Sequence, residues 1–155
     1  MKRIKLTQNK YALVDDKDFE KLSVYKWCFN NGYAMRTQYL GGGKKNQRQI
    51  KIYMHREIMN TPLGMDTDHI NRNRLDNRQE NLRVCTHSQN MANSCNKTGI
   101  KGVYFEKRTG NWYAKIKGNI HLGTFISKLE AGRAYNEGAK KYFGEFALLN
   151  NLTKI

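Results

Sequence analysis

The chain has 155 residues, 39% of them hydrophobic and 11% aromatic, enough for one ordinary core or for two or three small modules. Lys and Arg number 28 against 13 Asp and Glu, a formal net charge of +15, which points to a polyanionic partner. No run of 18 apolar residues is present to span a membrane, so no membrane partner is expected.

The charge is unevenly placed. Residues 1–60 carry 13 basic and 5 acidic side chains, residues 61–98 carry 5 and 4, and residues 99–155 carry 10 and 4. Two basic arms thus flank a nearly neutral centre. Phosphate binding calls for Lys and Arg, whereas a divalent cation calls for carboxylate with little competing positive charge. The start, MKRIKLTQNKYALVDD, lacks the apolar segment of a signal peptide, so the chain is expected to stay where it is made. Cys28, Cys85 and Cys95 form no C-x-x-C pair; reduced thiols are expected, and no structural zinc.

In chain order, residues 2–14 and 24–40 read as short strands, with Asp16 to Leu22 as a helix between them. GGGKKNQRQ, residues 41–49, is a glycine-rich basic loop, and IKIYMHREIMN a strand running into a short helix that ends before Pro62. Residues 63–98 are dense in Asn, Asp, Arg and His. Asn77 with Glu80, and Thr86 with Gln89, have the spacing of helix capping boxes, and Leu82-Arg83-Val84 between them reads as a strand. The second helix is expected from about His87. GVYFEK, NWYAKIKG and NIHLGTF follow as three strands, with Tyr113, Lys115 and Lys117 expected on one face of the second. Ser127 to Glu130 opens a helix whose Ala131, Ala134, Tyr135, Gly138, Ala139, Tyr142 and Phe143 form one stripe, with Gly144 as its stop.

The residues able to carry chemistry lie in the neutral centre. Phosphodiester hydrolysis needs a base to take a proton from water and a cation to stabilise charge on the phosphate. His69, with an unperturbed pKa of about 6.5, can be the base. Asp68 offers a carboxylate to a hard cation, and strand alternation lets the two neighbours face opposite ways. Asn90 could supply a second oxygen ligand, and Asn81 could accept a hydrogen bond from the His69 ring. His55 reads as structural and Arg56 as locally paired or touching phosphate. His87 is a weaker ligand candidate, one helical turn before Asn90. Arg72, Arg74 and Arg78 read either as backbone contacts to DNA or as solvated loop charges.

The run DHINRNRLDNRQENLRVCTHSQN, together with IYMHREIM before it, resembles the HNH endonucleases of homing type, over about residues 52–93. The resemblance implies a ββα-metal fold with His69 as general base and Asn81 orienting it. It implies one Mg²⁺ or Mn²⁺ on Asp68 and Asn90, and 5′-phosphate products. It also implies a protein of the cytoplasm of a bacterial or phage-infected cell, acting on double-stranded DNA. Residues 99–150 resemble the plant ethylene-response-factor (AP-two/ERF) domain, in Lys101-Gly102-Val103, Trp112, Ala114, Ile116, Leu122 to Phe125 and Ala147 to Asn150. By that resemblance the free face of the sheet enters the major groove, with contacts from Lys101, Tyr104, Glu106, Lys115, Lys117, Asn119 and His121, and Thr124 toward phosphate. Several of these positions hold arginine in the plant factors, so their target is not assumed; a sheet that only touches phosphate is an equal reading.

The expected fold class is α+β: a small β-rich part (1–51), a ββα-metal HNH core (52–98), and a three-stranded antiparallel sheet on one helix (99–155). The expected activity is site-recognising DNA cleavage by a monomer or weak homodimer. Two rivals stand beside it, a non-cleaving DNA-binding regulator on a degenerate nuclease scaffold and a basic RNA-binding protein.

Overall fold

The computed structural model describes residues 1–41, 48–95 and 100–154; the centre of the glycine-rich loop, 42–47, lies outside the described residues. β1 (Lys2–Lys5) and β2 (Tyr11–Val14) form an antiparallel hairpin with Lys2 opposite Val14. α1 (Asp16–Ser23) carries Asp16 and Asp18 in its first turn, where carboxylates suit the positive end of a helix. Its Leu22 is buried, and the Leu22 carbonyl accepts a hydrogen bond from Trp27 Nε1 at 2.8 Å.

β3 (Cys28–Asn30), β4 (Tyr33–Tyr39) and β5 (Gln49–Tyr53) form an antiparallel sheet in that order. Asn31-Gly32 joins β3 to β4 with both residues at positive φ (49° and 88°), the tight hairpin turn that this dipeptide favours. α2 (Met54–Ile58) follows without a break, and β6 (Asp66–His69) pairs antiparallel with β7 (Leu82–Cys85).

Ile4, Leu6, Ala12, Val14, Leu22, Trp27, Ala34 and Met54 are buried in one cluster, with Ile52, Ile58 and Leu75 against it. The β-rich N-terminal part therefore shares its core with α2 and the loop before β7. An Asn- and Arg-rich segment has too few apolar side chains for a core of its own. Met1–His87 is one compact unit and Ser88–Ile155 a second, so the boundary falls inside α3 (His87–Asn93), the helix expected from about His87.

In the second unit β8 (Val103–Glu106), β9 (Asn111–Ile116) and β10 (Ile120–Phe125) make an antiparallel sheet of order β10-β9-β8, packed against α4 (Lys128–Phe143). This is the expected sheet-on-helix arrangement, and the protein is α+β throughout. Ala114, Ile116, Ala131, Tyr135 and Ala139 are its buried core. The Ser127 capping box is formed: Ser127 Oγ accepts from Glu130 N at 3.1 Å, and Glu130 Oε2 accepts from Ser127 N at 3.3 Å. At Gly102 (φ +69°) a Cβ would lie 2.1 Å from the Tyr135 ring, so only glycine allows β8 its approach to α4.

Candidate active site

β6 places Asp66 and Asp68 toward one side and Thr67 and His69 toward the other, and register sets Asp68 opposite Arg83 and His69 opposite Leu82. Asp68 and His69 are both buried, at 6% and 4% exposure. The register explains the first contact: Arg83 Nε and Nη2 both donate to Asp68 Oδ2, at 2.9 and 2.8 Å.

On the other side, His69 Nε2 lies 3.0 Å from Asn77 Oδ1. Asn77 turns its Nδ2 toward Met54 Sδ (3.6 Å) and the Leu75 carbonyl (3.5 Å), so its oxygen faces the ring. The imidazole proton therefore belongs on Nε2, and Nδ1 carries the basic lone pair. Burial depresses the His69 pKa and outweighs the opposite effect of the Asn77 hydrogen bond, so the ring is neutral at pH 7. The His55 ring packs edge-on at 5.0 Å between centroids, and Tyr33 at 6.2 Å. His55 is buried, its Nδ1 has no hydrogen-bond partner among the described residues, and burial pushes its pKa down to about 3. Its surroundings are those of a structural side chain.

Two expectations are corrected here. Asn77 starts no helix: the turn that follows is a single 3-10 turn at Gln79–Asn81 whose cap position is Arg78, and Asn77 is fully buried beside His69. Burying an amide requires partners, and the His69 ring and the backbone supply them. Asn81 does not take the role of acceptor for His69. Its Oδ1 accepts from Asn71 N at 2.9 Å and its Nδ2 donates to the Asp76 carbonyl at 2.7 Å, so it ties together the two sides of the β6–β7 loop. The same loop is held by Asp76, whose carboxylate takes Arg78 Nε and Nη2 at 2.7 Å each and Asn71 Nδ2 at 2.9 Å. Arg78 holds the Asp76 carboxyl below the usual carboxylate range. Leu13 joins in from β2, donating to the Leu75 carbonyl and accepting from Asn77 N.

Sequence reasoning missed Asn77, Asp76 and Arg83 as site residues. The polar density of the segment was visible, but only the fold shows which amide faces the ring. Among the other candidates, Arg56 Nη1 donates to the Met65 carbonyl at 2.8 Å, and Arg74 stacks on Tyr33 and donates to the Asn31 carbonyl. Arg72 is exposed, and exposed His87 holds Nδ1 at 3.0 Å from Asp66 Oδ2. Asn90 is half-buried in α3, on the Ser88–Ile155 unit.

In that second unit, register places Tyr104, Glu106, Lys115, His121 and Thr124 with Tyr113 on the face opposite the core. Asn119 is exposed in the β9–β10 turn. Two candidates leave the outer face. β9 ends at Ile116, and Lys117 takes a left-handed φ of 50° that breaks the alternation; its Nζ lies 5.3 and 5.7 Å from the Tyr142 and Phe143 rings of α4. Lys101 Nζ donates to the carbonyls of Met91 (3.3 Å), Ala92 and Ser94 (2.6 Å), closing the C-terminal end of α3.

Residues 60–92, which hold this constellation, match the family model for HNH endonuclease. The HNH endonuclease resemblance is thereby shown, and it extends well beyond that segment. The chain is 27% identical over 146 residues to an uncharacterized HNH endonuclease of Acanthamoeba polyphaga mimivirus, covering 92% of this chain and 75% of the relative. Two Arabidopsis thaliana proteins match over part of the chain. Dehydration-responsive element-binding protein 2C is 38% identical over 61 residues, 36% of this chain and 17% of its own length. A putative dehydration-responsive element-binding protein 2H is 36% identical over 61 residues, 36% of each chain. No solved structure matches significantly.

Proposed function

We propose that the protein is a metal-dependent endonuclease that hydrolyses a phosphodiester in double-stranded DNA, with His69 as general base. The observation that carries this reading is the His69 environment: a buried, neutral imidazole with Nε2 committed to Asn77, so that Nδ1 is the nitrogen that takes the proton from water. Asn77 is the residue that fixes the ring, and Asn81 fixes the loop that carries Asn77.

The donor chemistry of the proposed ligands suits a divalent ion. Hard cations take oxygen ligands, and Mg²⁺ keeps several waters, so a carboxylate and an amide oxygen suffice on the protein side. Asp68 and Asn90 are the proposed ligands, with Mg²⁺ or Mn²⁺ as the ion; among the described residues no group of three or more His, Cys, Asp or Glu offers a denser site. Such an ion supplies charge stabilisation at the phosphate and the leaving oxygen. Arg83 holds the Asp68 carboxylate in one orientation through Oδ2. Cleavage leaving 5′-phosphate ends, action as a monomer or weak homodimer in the cytoplasm, and a homing type of target search complete the proposal. The ERF-type sheet places the nuclease on DNA. Among the described residues no helix is long and apolar enough to cross a membrane.

The Asp68–Arg83 ion pair favours one other reading, a non-cleaving DNA-binding regulator in which Arg83 stands in for the cation. Incubating the whole protein with duplex DNA and Mg²⁺ or Mn²⁺ separates the two. Cleavage that vanishes in His69→Ala while DNA binding persists supports the nuclease; binding without cleavage under either ion supports the regulator. Unchanged cleavage by His69→Ala removes the assignment of the base.

A further inference from the structure

The outer face of the β8–β9–β10 sheet is unlike a phosphate-gripping surface. Its members Tyr104, Glu106, Asn111, Tyr113, Lys115, His121 and Thr124 include one Lys, one Glu and no Arg, in a chain of net charge +15. Across the strands runs a ladder of stacked rings. Tyr104 and Tyr113 are 5.3 Å apart at 21°, and Tyr113 and His121 are 6.3 Å apart at 26°. Lys115 Nζ lies 5.0 Å from the Tyr113 ring, and Thr124 Oγ1 is 3.4 Å from His121 Nε2. Tyr113, Lys115, His121 and Thr124 line one open groove with Glu106 and Arg108.

Two features say what such a groove can read. Because the rings stack on one another, their facing sides are covered, and Tyr113, flanked on both sides, offers its edge and hydroxyl rather than a ring face. Single-stranded nucleic acid binders stack bases on open ring faces, so this ladder suits the edges of paired bases in a major groove. Glu106 is the second feature. Its carboxylate has no hydrogen-bond or ion-pair partner among the described residues, although the chain holds 28 Lys and Arg. Its strand places it on the face with the ladder, directly opposite Asn111. An acceptor-only group beside a polyanion costs affinity unless it meets a donor. In the major groove two exocyclic amino groups are such donors: adenine N6–H₂ is flanked by the N7 acceptor, which repels a carboxylate, whereas cytosine N4–H₂ has no acceptor beside it there, and guanine presents only acceptors.

We propose that Glu106 is a specificity-determining residue: it selects a base pair by accepting from the cytosine amino group, while the Tyr104–Tyr113–His121 ladder contacts neighbouring base edges and thymine methyls. The sheet therefore prefers a cytosine at one fixed position of a target strand, in a context richer in A·T pairs than in guanine. This rests on the proposed duplex-DNA function and assigns the base chemistry of the same face.

The test is selection of the whole protein against a pool of random duplexes, with Ca²⁺ in place of Mg²⁺ so that bound DNA is recovered uncut. The wild type is expected to enrich a motif with one nearly invariant cytosine. Glu106→Arg, which turns the acceptor into a guanine-reading donor, is expected to replace that cytosine by guanine and leave the rest of the motif in place. Glu106→Ala is expected to accept any base there, with a discrimination loss of about 10- to 100-fold at that position alone. The same cytosine enriched by wild type and both variants overturns the role of Glu106. A motif of guanine runs, or stronger retention of single-stranded than duplex pools, overturns the groove reading. Enrichment of nothing, with no duplex binding at modest salt, instead removes the DNA-binding function on which the inference stands. Melting temperatures of the exposed-site variants within a degree or two of wild type show that folding is not what changed.

Discussion

The side chains around His69 and those on the outer face of the β8–β10 sheet are organised in opposite ways. Around His69 the polar side chains from β6 to β7 are held by neighbours: Asn77 serves the ring, Asn81 and Asp76 serve the loop, and Arg83 serves Asp68. On the sheet, Glu106 has no side-chain partner among the described residues, and Tyr104 and His121 stand exposed. A group that must act on a reacting atom gains from being held in one orientation beforehand. A group that must pair with a base edge gains from staying uncommitted until the base arrives, because any internal partner would have to be given up on binding. Under the proposed function, the difference separates the chemistry of the protein from its address.

If that division holds, substitutions around His69 change the rate and leave affinity alone. His69→Ala is expected to lower the cleavage rate by roughly 10²–10⁴, the range of a lost general base, with duplex affinity within about twofold of wild type. Single-turnover cleavage beside a gel-shift titration measures both. Asn77→Ala follows in size. It leaves the His69 Nε2 proton buried without its acceptor, which costs about 1–3 kcal/mol of stability and frees the ring to turn or change tautomer. A rate loss of roughly 10-fold or more is expected at a temperature where the variant is folded. A full rate in folded Asn77→Ala would show that something else orients the base.

The pattern of what the sequence revealed follows the same line. The strands, the Ser127 helix and its apolar stripe were legible because period and capping chemistry are local. Asp68 and His69 were singled out through motif order. Asn77 was misread because an Asn three residues before a Glu also spells a cap, and only the closure of the β6–β7 loop decides between a backbone and an imidazole. Asn81 was given a ring to orient when it bridges the loop instead, a contact between residues ten apart that no spacing rule announces. Lys117 was misplaced by extending strand alternation one residue past Ile116, where the left-handed turn begins. The N-terminal part looked separate because the Asn- and Arg-rich segment after it shows no apolar period; the core that the N-terminal part mostly builds is shared with Met54 and Leu75.

Acid is the next lever, and it acts on the His69 side alone. His55 and His69 both have folded-state pKa values below the usual 6.5, by burial, with that of His55 at about 3. The unfolded chain then binds more protons than the folded one below pH 6.5, so stability falls as the pH drops from there toward 3. For His55 alone the loss is about 1.4 kcal/mol per pH unit, hence about 2 kcal/mol between pH 6.5 and 5. Urea midpoints across that range measure it, and His55→Gln is expected to flatten the slope. A stability independent of pH between 6.5 and 5 would mean that the two rings are wetter than their burial indicates.

The smallest effect sharpens the comparison at its edge. Lys101 was expected on DNA, and it is instead occupied with three carbonyls at the end of α3, the helix that carries Asn90. A DNA-contacting lysine and a capping lysine predict different losses. Removing a phosphate contact lowers the salt dependence of binding by about one unit of log–log slope. Removing a cap leaves that slope alone, costs about 0.5–2 kcal/mol of stability, and loosens the last turn of α3. Lys101→Met keeps the length and the apolar stem and removes only the charge. The expected outcome is an unchanged salt slope, a slightly lower melting temperature, and, if Asn90 is the ligand proposed above, a higher Mg²⁺ concentration for half-maximal cleavage. A reduced salt slope with unaltered Mg²⁺ dependence would return Lys101 to the DNA surface. It would also make the commitments of this sheet's lysines depend on whether DNA is bound.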